Sequence, residues 1–143
     1  MFHVKNLKVG YGESEVIRGL DLELAQGEIL AVMGRNGMGK TTLFKSLIGV
    51  LECAGQSSIV IDGQEVSQVP SYKRVRHGLA YVPQGRMIYP SLTVEDNIRV
   101  GLETASSKKI PEYVYELFPV LAEMAKRKGG NLSGGQQQQL AIA

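Results

Sequence analysis

The residues best suited to chemistry stand together in Gly34-Arg35-Asn36-Gly37-Met38-Gly39-Lys40-Thr41, followed by Thr42. Glycines at these positions let backbone N–H groups turn inward around anionic oxygens without interference from Cβ atoms. Lys40 adds a compact positive charge, and Thr41 a hydroxyl that can ligate Mg²⁺. Together they match the pattern G-x-x-x-x-G-K-[ST] in full, the composition of a loop that cradles the phosphates of a nucleotide. A chance match is expected in well under about 1% of chains this long, so a surface turn is the weaker reading. The loop alone does not separate an ATPase from a GTPase or a small-molecule kinase.

The flanking sequence must position this loop. Ile29-Leu30-Ala31-Val32-Met33 is a continuous apolar run and reads as a strand buried on both faces. Residues 41–50 carry Leu43, Phe44, Leu47 and Ile48 at helical spacing, so a helix N-terminus would point at the phosphates. Upstream, Phe2, Val4, Leu7 and Val9 belong to a β-rich opening broken at Gly10-Tyr11-Gly12. Residues 15–24 alternate as a half-buried strand. Downstream, residues 57–61 read as a strand and Asp62-Gly63 as a turn. Residues 72–77 read as a helix end stopped by Gly78, and 79–82 as a short apolar strand. Helices are expected over 93–100, capped by Thr93, and over 112–124, with a last one opening at Gly134.

A second motif narrows the class. Leu132-Ser133-Gly134-Gly135-Gln136 combines a serine hydroxyl, free N–H groups and a helix N-terminus, the ingredients of a second anion site. Ser133 as a plain helix cap is compatible with that reading. With the phosphate loop in the same chain, this pentapeptide resembles the signature of ABC transporter ATPases, and the resemblance extends over essentially all 143 residues. It implies an α/β fold of the P-loop NTPase, ABC ATPase type, with an N-terminal antiparallel β part and a helical subdomain. It further implies a nucleotide-binding core over 1–83, and a glutamine loop, helical subdomain and signature over 84–143.

The family resemblance assigns roles residue by residue. Residues Gly34 to Thr42 would hold ATP and Thr41 its Mg²⁺. Tyr11, 29 residues before Lys40, resembles the aromatic that stacks on adenine, and Val16 is a further nucleotide-contact candidate. Tyr81-Val82-Pro83-Gln84 resembles the hinge whose glutamine senses Mg²⁺ and the attacking water, which makes Gln84 the catalytic candidate. Ser133, Gly134, Gly135 and Gln136 would complete the γ-phosphate site of a second, head-to-tail ATP-binding subunit. Residues 87–92 are candidates either for the groove that receives a permease subunit or for packing of the helical subdomain. The stretches 34–42 and 81–90 look like importers of hydrophobic amino acids and amides. The glutamine run of 132–143 looks more like urea-import subunits than their branched-chain relatives.

Composition excludes some alternatives. Sixteen Lys+Arg against fourteen Asp+Glu, net charge +2, is too even to argue for nucleic acid as a partner. One cysteine, Cys53, permits no internal disulfide and suits a reducing compartment. No signal peptide and no apolar run of ~20 residues is visible. Any link to a membrane is therefore expected to run through a partner, and the family resemblance implies permease subunits at the cytoplasmic face of the inner membrane, and indirectly a substrate-binding protein. Soluble ABC ATPases of DNA repair or translation usually carry insertions that the short 84–132 span lacks. Family members continue past the signature helix into an apolar strand ending in Asp-Glu, then a histidine. None of these follows Ala143, so the sequence reads as truncated before the Walker B strand. That strand would run beside residues 29–33 and supply the carboxylates for hydrolysis. Without them, nucleotide binding without turnover is the alternative expectation.

Overall fold

The computed structural model describes residues 1–103 and 105–143, and these form two compact units, 1–81 and 82–143.

The first unit is built on two long strands, β1 (Phe2–Tyr11) and β2 (Ser14–Leu24), antiparallel from Phe2 opposite Leu24 to Tyr11 opposite Ser14. Alternation works as expected. Val4, Leu7 and Val9 of β1 are buried, while the alternate residues of β2 remain exposed. The register shifts near Asn6, whose backbone N–H donates to Asp21 Oδ1 at 2.5 Å. The short strands β3 (Ser58–Ile61) and β4 (Gln64–Glu65) extend the sheet in the order β2-β1-β3-β4, every pairing antiparallel. Helix α1 (Lys40–Leu47) buries Leu43 against Val4, Leu7, Val9, Ile59 and Val66.

Two strand expectations fail here. Residues 29–33 form no strand: Ile29 is 97% and Met33 90% exposed, and no described strand pairs with them. Residues 79–82 form none either. An apolar run holds extended pairing only when a neighbouring strand completes its hydrogen bonds, and among the described residues neither run has one.

Downstream, α2 (Ser71–Arg74) and a 3₁₀ turn at Val75–His77 end at Gly78, the stop expected from the sequence. Arg74, the last residue of α2, is buried at 2% exposure. Its guanidinium donates to the carbonyls of Ser46 (2.9 Å), Leu47 (2.7 Å), Ser67 (2.7 Å) and Val69 (2.7 Å). Two of these acceptors belong to the C-terminal turn of α1, where carbonyls otherwise lack partners.

The second unit is helical: α3 (Val94–Gly101), α4 (Glu112–Leu117), α5 (Pro119–Glu123) and α6 (Gly134–Ile142). Val94, Ile98, Val114, Leu121, Leu132 and Leu140 form its core. Thr93 caps α3 by accepting from the Asp96 N–H at 3.1 Å. The single helix expected over 112–124 is divided at Phe118 (φ −130°, ψ 70°). Pro119 is the cause, because its ring disfavours helical geometry in the preceding residue. Glu95 accepts from Arg99 and Lys126, each at 2.6 Å, and ties α3 to the chain beyond α5. Hydrogen bonding from Lys126, reinforced by Arg99, holds the Glu95 carboxyl below its ordinary range.

Candidate functional site

The phosphate loop closes on itself through Met38 N–H to Arg35 O (3.3 Å) and enters α1 through Gly39. Gly39 has φ 85°, and a Cβ there would stand 3.1 Å from Val16 Cγ1, so both backbone and space demand glycine. The first turn of α1 carries no acidic residue, which leaves its positive end free to meet an anion. The half-buried Lys40 side chain turns back on the loop. Its ammonium donates to the carbonyls of Gly34 (2.6 Å) and Arg35 (2.8 Å), which fold it into the curve of the loop. Thr41 is exposed and Thr42 buried at 8%.

A cavity of about 390 Å³ opens beside the loop, walled by Val16, Ile17, Leu20, Val32, Gly39 and Lys40 among others. Val16 therefore adjoins the loop, as its candidacy requires. Tyr11 ends β1 with half its surface exposed and is not part of that wall. Arg35, Asn36, Gly37 and Met38 form the exposed rim. A glycine-rich loop at the acid-free start of a helix, a cation and a partly apolar cavity suit a nucleoside triphosphate. Among the described residues no group of three or more His, Cys, Asp or Glu could hold a metal ion. A Mg²⁺ ion would rest chiefly on the nucleotide's own phosphates, with Thr41 as a protein ligand.

The remaining candidates lie in the second unit. Gln84 is exposed on the chain leading into residues 85–92. Ser133 caps α6 in a reciprocal box: its hydroxyl accepts from the Gln136 N–H at 3.3 Å, and Gln136 Oε1 accepts from the Ser133 N–H at 2.9 Å. The signature is thus also a helix start. Gly134 and Gly135 stay exposed at its tip. Sequence reasoning missed Arg86, whose Nη1 donates to the Gly134 carbonyl at 2.8 Å. It also missed Asn97, which accepts from Tyr89 N–H (2.7 Å) and donates to the carbonyls of Tyr89 and Thr93 (3.0 and 2.8 Å). The acceptor of Arg86 lies 48 residues away and is brought within reach only by tertiary folding, whereas the partners of Asn97 lie within eight residues of it.

The sequence profile of the family described as ABC transporter matches residues 17–143. The chain belongs to this family. The probable branched-chain amino acid transport ATP-binding protein LivF of Archaeoglobus fulgidus is 34% identical over the whole chain and 61% of its own length. The high-affinity branched-chain amino acid transport ATP-binding protein BraG of Pseudomonas aeruginosa is 37% identical over 92% of the chain and 58% of its own. A putative 2-aminoethylphosphonate import ATP-binding protein, PhnT of Salmonella typhimurium, is 39% identical over 96% of the chain and 37% of its own. The chain thus spans about 60% of the length of the first two relatives.

Solved structures agree on the fold. An ATP-binding subunit of an ABC transporter superposes with TM-score 0.80 at 28% identity, covering 99% of this chain and 60% of that one. The dimeric bacterial ABC transporter cassette MJ0796 gives 0.80 at 23% identity, over 99% of this chain and 67% of that one. The fold is the α/β ABC ATPase cassette with its antiparallel sheet.

Proposed function

We propose that this chain is the ATP-binding, energy-coupling part of an ABC importer that takes up branched-chain amino acids, amides or urea. The observation that carries the reading is Lys40 folded by two carbonyls into a glycine loop at the acid-free start of α1. The capped signature helix in the same chain supports it. In this reading the loop N–H groups and Lys40 bind the β- and γ-phosphates of ATP, and Tyr11 stacks on adenine beside Val16. Thr41 and Gln84 contact Mg²⁺, which neutralises charge as the γ-phosphoryl group departs. Ser133, Gly134, Gly135 and Gln136 reach the γ-phosphate held by a second ATP-binding subunit arranged head to tail, so ATP joins two subunits. Permease subunits, and through them a substrate-binding protein, hold the dimer at the cytoplasmic face of the membrane. Among the described residues no helix is long and apolar enough to cross a membrane.

The cargo class rests on the names of LivF and BraG and on the resemblance of residues 34–42 and 81–90. Urea rests on the glutamine run alone. PhnT is as similar as either and is named for another cargo, which fits a subunit whose own residues do not touch the transported molecule. Steady-state phosphate release by the gene product with excess Mg-ATP tests the reading. Turnover should rise faster than linearly with protein concentration and vanish in Lys40→Ala. ATP binding with no turnover under any of these conditions would leave a nucleotide-binding module and overturn the energy-coupling role.

A further inference from the structure

The chain just after Gln84 is held in an unusual conformation. Gly85, Arg86 and Met87 are consecutive residues with positive φ, at 89°, 70° and 52°. For Arg86 and Met87 this is left-handed backbone that side-chain-bearing residues rarely adopt. Something must hold it there. Two backbone bonds close the turn, Arg86 N–H to Pro83 O (3.2 Å) and Met87 N–H to Gly85 O (2.8 Å). One side-chain bond leaves it: Arg86 Nη1 to the carbonyl of Gly134, 48 residues away, at 2.8 Å. Gly134 is the first residue of α6 and the centre of the signature. A Cβ on Gly134 would stand 3.1 Å from the same Nη1, so the guanidinium occupies the space that a side chain there would need.

The other end of the segment is pinned independently. Tyr89 is clamped at both its N–H and carbonyl by Asn97, and Gly130 N–H reaches Pro90 O at 3.0 Å. Residues 88–90 are therefore fixed to the helical core without help from Arg86. The Arg86 bond is not required to fold the segment; its distinctive consequence is to join the stretch bearing Gln84 to the start of the signature helix. A charged donor at this place is otherwise unfavourable, since it sets a cation beside the positive end of α6.

We propose that Arg86 is a positioning residue that latches the Gln84 turn to Gly134. Through it, the group facing the Mg²⁺ of one ATP and the signature facing the γ-phosphate of another are set as one unit. This rests on the ATPase reading above. Arg86 touches neither nucleotide; it acts through the Gly134 carbonyl and through its own left-handed backbone.

The test uses the gene product with Arg86→Ala, Arg86→Lys and Arg86→Gly, measuring kcat, KM, ATP affinity without turnover and the thermal unfolding midpoint. Arg86→Gly is the discriminating variant, because it removes the latch and relieves the left-handed strain together. The expected result is a kcat lowered about tenfold or more in the Ala and Gly variants. ATP affinity should stay within twofold, the Gly variant should melt no lower than wild type, and Lys should restore part of the loss. Two results would overturn the latch while leaving the ATPase reading intact: kcat within twofold of an active wild type in both variants, or a melting point in Arg86→Gly that falls in step with kcat. A wild-type protein that binds ATP without hydrolysing it overturns both.

Discussion

The Arg74 guanidinium donates from Nη1 to the carbonyl of Leu47 at 2.7 Å, across 27 residues, and closes the C-terminal end of the helix whose other end forms the phosphate loop. The sheet, α1 and Arg74 therefore hold the loop from behind. Gly49 makes room for this contact: its φ is 81°, and a Cβ would fall 2.6 Å from Arg74 Nε. Arg74→Ala leaves four carbonyls without their donor and should destabilise the protein by about 3 kcal/mol, judged from the usual penalty for unpaired buried groups. Gly49→Ala should be comparably harmful. In the Arg74→Ala background the Gly49→Ala cost should shrink, because only its backbone strain remains. Denaturant titration of the four proteins measures the coupling; strict additivity would show that the two residues do not press on each other.

The carboxylate of Glu65 gives a pH signature. Partial burial pushes its pKa up, but hydrogen bonds from the hydroxyl of Ser58 and from Ser67 and the Ile59 N–H outweigh this and hold it down to about 2, against an ordinary 4.5. A depressed folded pKa stabilises above the unfolded value and is lost as pH falls through the folded one. Glu65 should thus contribute fully above about pH 5 and progressively less from there to about pH 2. The side chain is solvent-accessible, so its full contribution is discounted to about 1 kcal/mol. Wild type and Glu65→Gln should differ by that amount at pH 7 and converge toward pH 2. A gap that stays constant with pH would remove the assignment.

How far the sequence revealed this protein depends on the range of the interactions. The Thr93 and Ser133 caps, the half-buried strand over 15–24 and the helix after the glycine loop were legible because each is set by residues close in sequence. The 29–33 run misled because hydrophobicity marks an intention to be buried, whereas a strand also needs a partner. The 112–124 helix misled because periodicity outweighed a visible Pro119. Arg74 and Arg86 were not legible as structural hubs: the acceptors that define them, chiefly Leu47 and Gly134, lie 27 and 48 residues away. An arginine's sequence neighbours carry no trace of such partners.

Ser133 has a structural role and a proposed chemical one, and two substitutions separate them. Ser133→Ala removes the cap of α6 and should lower stability by about 1 kcal/mol. Ser133→Asp keeps a good capping acceptor and should preserve stability to within about 0.5 kcal/mol. Its carboxylate would meet the γ-phosphate of the opposing subunit, so turnover should collapse in the Asp variant despite its native stability. Thermal unfolding beside phosphate release reads both. Full activity in Ser133→Asp would confine Ser133 to its cap.

Tyr11 stands half exposed at the end of β1, outside the wall of the cavity beside the loop. Its assignment to adenine therefore depends on stacking from the rim. Stacking of an aromatic on a base is worth about 1–3 kcal/mol in other systems, so Tyr11→Ala should raise the ATP dissociation constant roughly 5- to 150-fold. Because a ring reads a base by its face, ATP and GTP should suffer alike. An effect below twofold in a fluorescence titration would return Tyr11 to the role of a strand end.

The central claim is that the Gly34 to Thr41 loop binds nucleotide phosphates through Lys40, and calorimetric titration of the gene product with Mg-ATP tests it most directly. Lys40 is exposed enough to reach a ligand and is held by only two carbonyls, which its removal leaves free to solvent. Lys40→Ala should consequently fold with an unchanged melting point while ATP affinity falls on the order of 100-fold or more, equivalent to about 2.7 kcal/mol. Lys40→Arg keeps the charge but not the compact ammonium and should remain strongly impaired. A folded Lys40→Ala protein that binds Mg-ATP as tightly as wild type would contradict the account.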